Sequence, residues 1–184
     1  MKTTQENKGK RRLGREGEHP LGDLGQLILL AIFLAVWALD SFVFRFSTFP
    51  ARAVPLAARL AAATLLLTGA VGFARKGHAV ISEDTIRRGR LVTDGAFARV
   101  RHPLYLAALL FYAALAAATS SLISCALLAG IFGFYDVIAS YEERALLRKY
   151  EDEYRAYRQR VPKWIPRLRG NSHSRGASSP PAPR

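Results

Sequence analysis

The sequence predicts an all-α, polytopic membrane helix bundle: about four transmembrane helices followed by a C-terminal amphipathic helix. Three observations carry that prediction. Half of the 184 residues are hydrophobic while the formal net charge is +13, a combination that fits poorly in a single soluble core. The charges crowd into residues 2–18, 75–101 and 142–175, with long apolar stretches between them. Those stretches approach the roughly 20 residues that a helix needs to cross a hydrocarbon layer of about 30 Å. Mean hydropathy near zero is then an average over lipid-facing helices and basic aqueous segments. The single cysteine, Cys125, excludes an intramolecular disulfide and any cysteine-based metal cluster.

The first span is Leu24–Phe44, LGQLILLAIFLAVWALDSFVF, whose one charge is Asp40. A basic segment before an apolar one also describes a signal peptide, but this core is longer than the usual apolar region and no small-x-small cleavage site follows. The second span, residues 54–73, begins near Pro55, carries Arg59 where its side chain can snorkel, and closes at Arg75 and Lys76. Residues 104–139 contain no Lys or Arg and are too long for one perpendicular crossing. Thr119, Ser120 and Ser121 predict a tight turn dividing them into helices over 104–118 and 122–139. Both are short, so a hairpin needs bilayer thinning or shielding by neighbours. The alternative is one kinked helix with a re-entrant segment.

Basic residues dominate the N-terminal tail, residues 75–101 and everything after Arg144, whereas the first connection offers only Arg45 and Arg52 and the Ser turn none. That bias predicts both termini on the cytoplasmic side. Residues 1–20 and 169–184 are expected to be disordered basic tails flanking a helical domain over 21–168, their charge attracting anionic lipid headgroups. No nucleic-acid-binding module is recognisable, so no specific nucleic-acid partner is expected.

Two segments on the cytoplasmic side carry the chemistry. In LVTDGAFARVRHPLYL, residues 91–106, Asp94-Gly95 signals a turn and Pro103 suits a first helical turn, which sets Arg101 and His102 at a helix entrance whose free N–H groups favour anions. The plainer reading makes Arg99 and Arg101 headgroup anchors and His102 an interfacial cap. In YEERALLRKYEDEYRAYRQRVPKWIP, residues 141–166, Glu143, Leu146, Leu147, Tyr150, Tyr154 and Tyr157 recur at helical spacing as one stripe. Asp136 lies about two turns before Glu143 on nearly the same face. Carboxylates at membrane depth are costly unless paired or hydrated, so Asp40 and Asp136 either neutralise arginines or each other, or line a polar path. Glu142 and Glu143 stand at the membrane surface. Pro162 and Pro166 around Trp164 end the helix in an interface-seeking turn.

RHPLYL and EERALLRKYEDEYRAYRQRVPKWIP, separated by a helical hairpin, together resemble the isoprenylcysteine carboxyl methyltransferase and phospholipid methyltransferase superfamily of small integral-membrane enzymes. The resemblance covers about residues 85–166. It implies S-adenosylmethionine as cofactor, held by these two motifs on the cytoplasmic side; no Gly-rich dinucleotide loop is present. Carried over onto this chain, it implies cofactor contacts from His102, Pro103, Leu104, Tyr105, Glu142 and Glu143, flanked by Arg101 and Arg144. Arg101, His102 and Glu143 are the candidate catalytic residues, and no metal is implied. Two positions depart from the family: Ala107 and Glu151 stand where it usually has glycine, the first expected to narrow the cofactor's approach, the second to straighten the helix. The implied reaction is in-line transfer of a methyl group to a lipophilic acceptor from the bilayer. A carboxylate acceptor needs a cation to hold it, and an amine needs a base. A non-catalytic relative of the same fold and a small transport bundle using Asp40 and Asp136 are the readings from other classes.

Overall fold

A computed structural model describes residues 20–80 and 89–166, so the two basic tails lie outside the described residues. Helix α1, Pro20–Ala38, runs into a π-helical stretch, Leu39–Phe44, and a short 3-10 turn at Phe49–Arg52 leads to α2, Leu56–Val80. Helix α3 is Pro103–Thr119 and α4 is Leu122–Arg160. The described residues hold no strand, and the all-helical architecture is as expected. Three stretches are long and apolar enough to cross a membrane: Leu24–Phe44, Leu56–Val80 and Leu122–Arg160. Helix α3, with 17 residues, rises about 26 Å, somewhat less than the hydrocarbon layer. It packs extensively along α2 and also against α4, which supplies the shielding a short span needs.

Helix α2 differs from the expected 54–73 by continuing over Arg75 and Lys76 to Val80. The basic pair marks where lipid ends, and both residue types are good helix formers in water. This extension meets α3 at Gly77, where a Cβ would come within 2.7 Å of Leu104 Cδ2. The Asp94-Gly95 turn forms as expected, with Phe97 N–H donating to Asp94 O at 3.0 Å. Gly95 has φ +61°, and a Cβ there would lie 2.6 Å from Val80 Cγ2, so glycine lets the loop before α3 close under the end of α2.

At the opposite end the predicted turn is present, with Ser120 in the left-handed conformation (φ 54°) as the α3 C-cap. Asp40 is buried there. Its carboxylate accepts from Ser47 N–H at 2.9 Å, Ser47 Oγ at 2.5 Å and Ser121 Oγ at 2.5 Å. Ser121 Oγ also accepts from Ser124 N–H at 3.1 Å and caps α4. Among the described residues, Asp40 therefore pairs with neither an arginine nor Asp136; serines satisfy it, and they tie the end of α1 to the α3–α4 turn. The core between them gathers Phe33, Leu109, Tyr112, Ile131 and Tyr135.

Helix α4 is not one straight rod. Its 39 residues would extend about 58 Å, nearly twice the hydrocarbon layer. At Glu151 the backbone takes φ 39° and ψ −109°. The fifteen residues from Asp136 to Glu151 rise about 22 Å, and the nine to Arg160 plus three more extended residues return about the same distance. Lys163 Nζ accordingly reaches Asp136 Oδ1 at 2.5 Å, and Arg158 Nε lies 3.9 Å from Glu143 Oε2. The expected C-terminal amphipathic helix is the returning limb of a hairpin hinged at Glu151. Glu151 reverses the helix instead of straightening it, and the stripe from Glu143 to Tyr157 is brought together by that reversal.

Candidate functional site

The two motifs meet where α3 begins. His102 occupies the N-cap position of α3 but makes no side-chain cap bond, because its ring turns towards α4. Glu143 is ionised at its buried position, so His102 Nε2 donates to Glu143 Oε1 at 3.1 Å. His102 Nδ1 lies 3.7 Å from Glu142 Oε2, and Tyr105 OH donates to Glu142 Oε1 at 2.5 Å. One turn of α3 thus reads the adjacent Glu pair with two side chains, His102 bonding Glu143 and lying beside Glu142, and Tyr105 fixing Glu142. The rings of His102 and Tyr105 stack at 5.7 Å, and Tyr105 stacks on Tyr135 at 5.1 Å.

Glu143 is the hub. Arg101 Nε lies 3.2 Å from Glu143 Oε1, and Arg158 reaches the other oxygen from the returning limb. Burial works against this carboxylate's charge, but the His102 hydrogen bond and the Arg101 guanidinium outweigh it and hold the group below the usual carboxylate range. Tyr157 OH donates to Phe97 O at 2.8 Å and fixes the loop carrying Arg99 to His102. Burial pushes that hydroxyl up to about 12.

A cavity of about 930 Å³ opens from this cluster. Arg101, His102, Pro103, Leu104, Tyr105 and Glu142 all line it. Glu143 does not: it stands behind His102, where it orients the imidazole. Arg144 is exposed and packs over the Tyr141 ring at 5.9 Å, outside the cluster. Away from the polar mouth the walls are apolar, with Leu27, Leu30 and Leu34 of α1 on one side and Leu67, Ala70 and Val71 of α2 on another. Ala107 is buried and lines the cavity, so its methyl group faces that space. Two polar lining residues were missed by the sequence reading: Gln26 and His78, from the ends of α1 and α2 nearest the mouth. Neither belongs to a motif, and only the proximity of three helix ends reveals them. Among the described residues, no group of three or more His, Cys, Asp or Glu could hold a metal ion.

Residues 73–153 match the phospholipid methyltransferase family. This is the superfamily that the two motifs resemble, and the matched segment runs from the end of α2 through the Glu pair to just past the hinge. The matched segment contains every cavity-lining residue of the two motifs, while α1 and the returning limb after residue 153 lie outside it. A cobalt-zinc-cadmium resistance protein, CzcN of Cupriavidus metallidurans, is 38% identical over 83 residues, which is 45% of this chain and 38% of that protein. The chain thus matches well under half of that relative's length. No solved structure matches.

Proposed function

We propose that this membrane protein is an S-adenosylmethionine-dependent methyltransferase acting on a lipophilic or lipid-linked acceptor at the cytoplasmic membrane face. One observation carries the reading: the two motifs of a phospholipid methyltransferase segment converge on the polar mouth of a cavity whose depth is apolar. The donor set suits the cofactor. Glu142 is the one carboxylate among the cavity's lining residues and can accept from ribose hydroxyls or an ammonium, while Arg101 and the first turn of α3 offer donors to a carboxylate. When bound, the cofactor supplies an electrophilic methyl group on a sulfonium.

The chain's own residues do the rest by positioning. Glu143 and Tyr105 fix the His102 and Glu142 side chains before any ligand arrives, so little ordering is left to binding. Arg101 is already paired with Glu143, and the mouth's free charge is that of Glu142; an amine headgroup therefore meets a complementary site more readily than a carboxylate does. An acceptor that must lose a proton finds two imidazoles at the mouth, His102 and His78. The apolar walls of α1 and α2 receive the acceptor's hydrocarbon, and both basic tails attract anionic headgroups around the site. Both termini are cytoplasmic in this reading.

Calorimetric titration of the detergent-purified protein with S-adenosylmethionine tests the proposal. The wild type gives a binding heat, and Glu142→Ala and His102→Ala each weaken affinity by about tenfold or more, the cost of losing a charged hydrogen-bond partner. Absence of heat with folded wild type in lipid-containing micelles overturns it. Binding without methyl transfer to any extractable lipid supports the second reading, a non-catalytic relative, which the Ala107 methyl group in the cavity favours.

A further inference from the structure

Beyond the segment matched at residues 73–153, the chain folds a strap over His102. After α4 ends, Val161 is extended and buried, and Pro162 O accepts from Arg101 N–H at 3.0 Å. Lys163 Nζ donates to Asp136 Oδ1, to Asp136 O at 3.1 Å and to Ser140 Oγ at 2.8 Å. Trp164 Nε1 donates to the same Asp136 Oδ1 at 2.8 Å. The Trp164 ring then lies 5.8 Å from the His102 ring and 5.4 Å from Phe132. The Lys163 and Trp164 donors thus converge on one carboxylate oxygen, and the indole fixed this way packs against the imidazole that bonds Glu143.

We propose that Asp136 is a positioning residue: through Lys163 and Trp164 it fastens the 161–166 strap over His102, and so holds that imidazole in the orientation that binds the cofactor. The last clause rests on the methyltransferase reading. The fastening itself does not. His102 is 7% exposed, and its Nε2 and Nδ1 already face the two acids; Trp164 supplies contact with the ring, which the acids do not. Asp136 lies outside the cavity lining, and its hydrogen bonds to Lys163 and Trp164 join it to the strap that covers the site.

The test uses the full-length protein with Trp37→Phe, leaving Trp164 as the one tryptophan. Asp136→Ala, Asp136→Asn and Lys163→Met are compared at equal thermal midpoint, lowering the temperature for any weakened variant. Carbethoxylation of His102 by diethyl pyrocarbonate is followed by mass spectrometry, Trp164 emission is recorded, and S-adenosylmethionine affinity is measured by calorimetry. Asp136→Ala shifts Trp164 emission to the red, speeds modification of His102 by about tenfold or more and weakens cofactor affinity by a similar factor. Asp136→Asn, which keeps an oxygen acceptor for the indole, restores the emission and most of the affinity. The Asp136→Ala, Lys163→Met double variant is no worse than Asp136→Ala alone, as one coupled latch requires. Unchanged His102 reactivity in Asp136→Ala overturns the proposal, and so does changed emission with unchanged affinity. If the wild type binds no cofactor, the functional reading fails while the His102 reactivity still decides whether Asp136 fastens the strap.

Discussion

Glu151 holds φ 39° and ψ −109°, a conformation that costs a residue with a Cβ on the order of 1–3 kcal/mol. The cost is offset because the reversal brings Arg158 to Glu143 and Lys163 to Asp136. Glu151→Gly keeps the hinge and removes the Cβ strain, so it stabilises the protein by about 1 kcal/mol net of glycine's greater unfolded-state freedom, a rise in thermal midpoint of about 2–4 °C. Thermal unfolding in detergent checks this, with Glu151→Ala as control: alanine retains the Cβ, and an equal gain from it means the effect comes from removing the charge. The same residue marks a limit of sequence reading. His102, Tyr105 and the Glu pair were legible because their types and order carry chemistry that few other arrangements share. A glutamate inside a charged helical repeat carries no sign of its own that its φ is positive; the one hint was the glycine that the resembled family usually has there, and it was read as straightening the helix when the chain in fact reverses.

Among the elements, the first span and the Ser turn were legible from hydropathy and turn residues. The end of α2 was not, because hydropathy marks the limit of the lipid and α2 continues seven residues into water. The partners of Asp40 and Asp136 were also hidden. Each was visible as a costly acid, but Ser47, Ser121 and Lys163 are brought to them by the tertiary fold. Asp40 contacts Ser121 at the start of α4 and Asp136 lies fifteen residues further along, about 22 Å away. Two acids so separated and each satisfied locally do not form a polar path. Ser121→Ala removes both a donor to Asp40 and the α4 cap, and lowers stability by about 1–3 kcal/mol. Cofactor affinity per folded molecule stays at the wild-type value, because the clasp and the mouth lie at opposite ends of the bundle. Denaturant unfolding together with calorimetry measures both, and a parallel loss of affinity removes the division of labour between the two ends.

Across the whole molecule, α2 packs along α3 whereas α1 leans on α4 and touches α3 only lightly. The cavity occupies the space this leaves between α1 and α2, so its apolar walls run along the helices while its polar mouth opens at the helix ends that carry His102 and Glu142. In the reaction proposed above, a water-soluble cofactor and a bilayer acceptor would reach one point from perpendicular directions without either crossing the other's medium. Val71, at 48% exposure on the α2 wall, has room for a larger side chain that fills the apolar arm and stays clear of His102 and Glu142. Val71→Trp should leave cofactor affinity within about twofold of wild type and cut methyl transfer to lipid by about tenfold or more, since the acceptor's hydrocarbon loses the surface that binds it. The measurement is tritium from labelled S-adenosylmethionine recovered in organic-extractable lipid, with a total lipid extract of the expression host as acceptor. If transfer falls only in step with cofactor affinity, the apolar arm is not the acceptor's route. If transfer falls while cofactor binding holds, the gap between α1 and α2 separates the two substrates, each arriving from the solvent in which it dissolves.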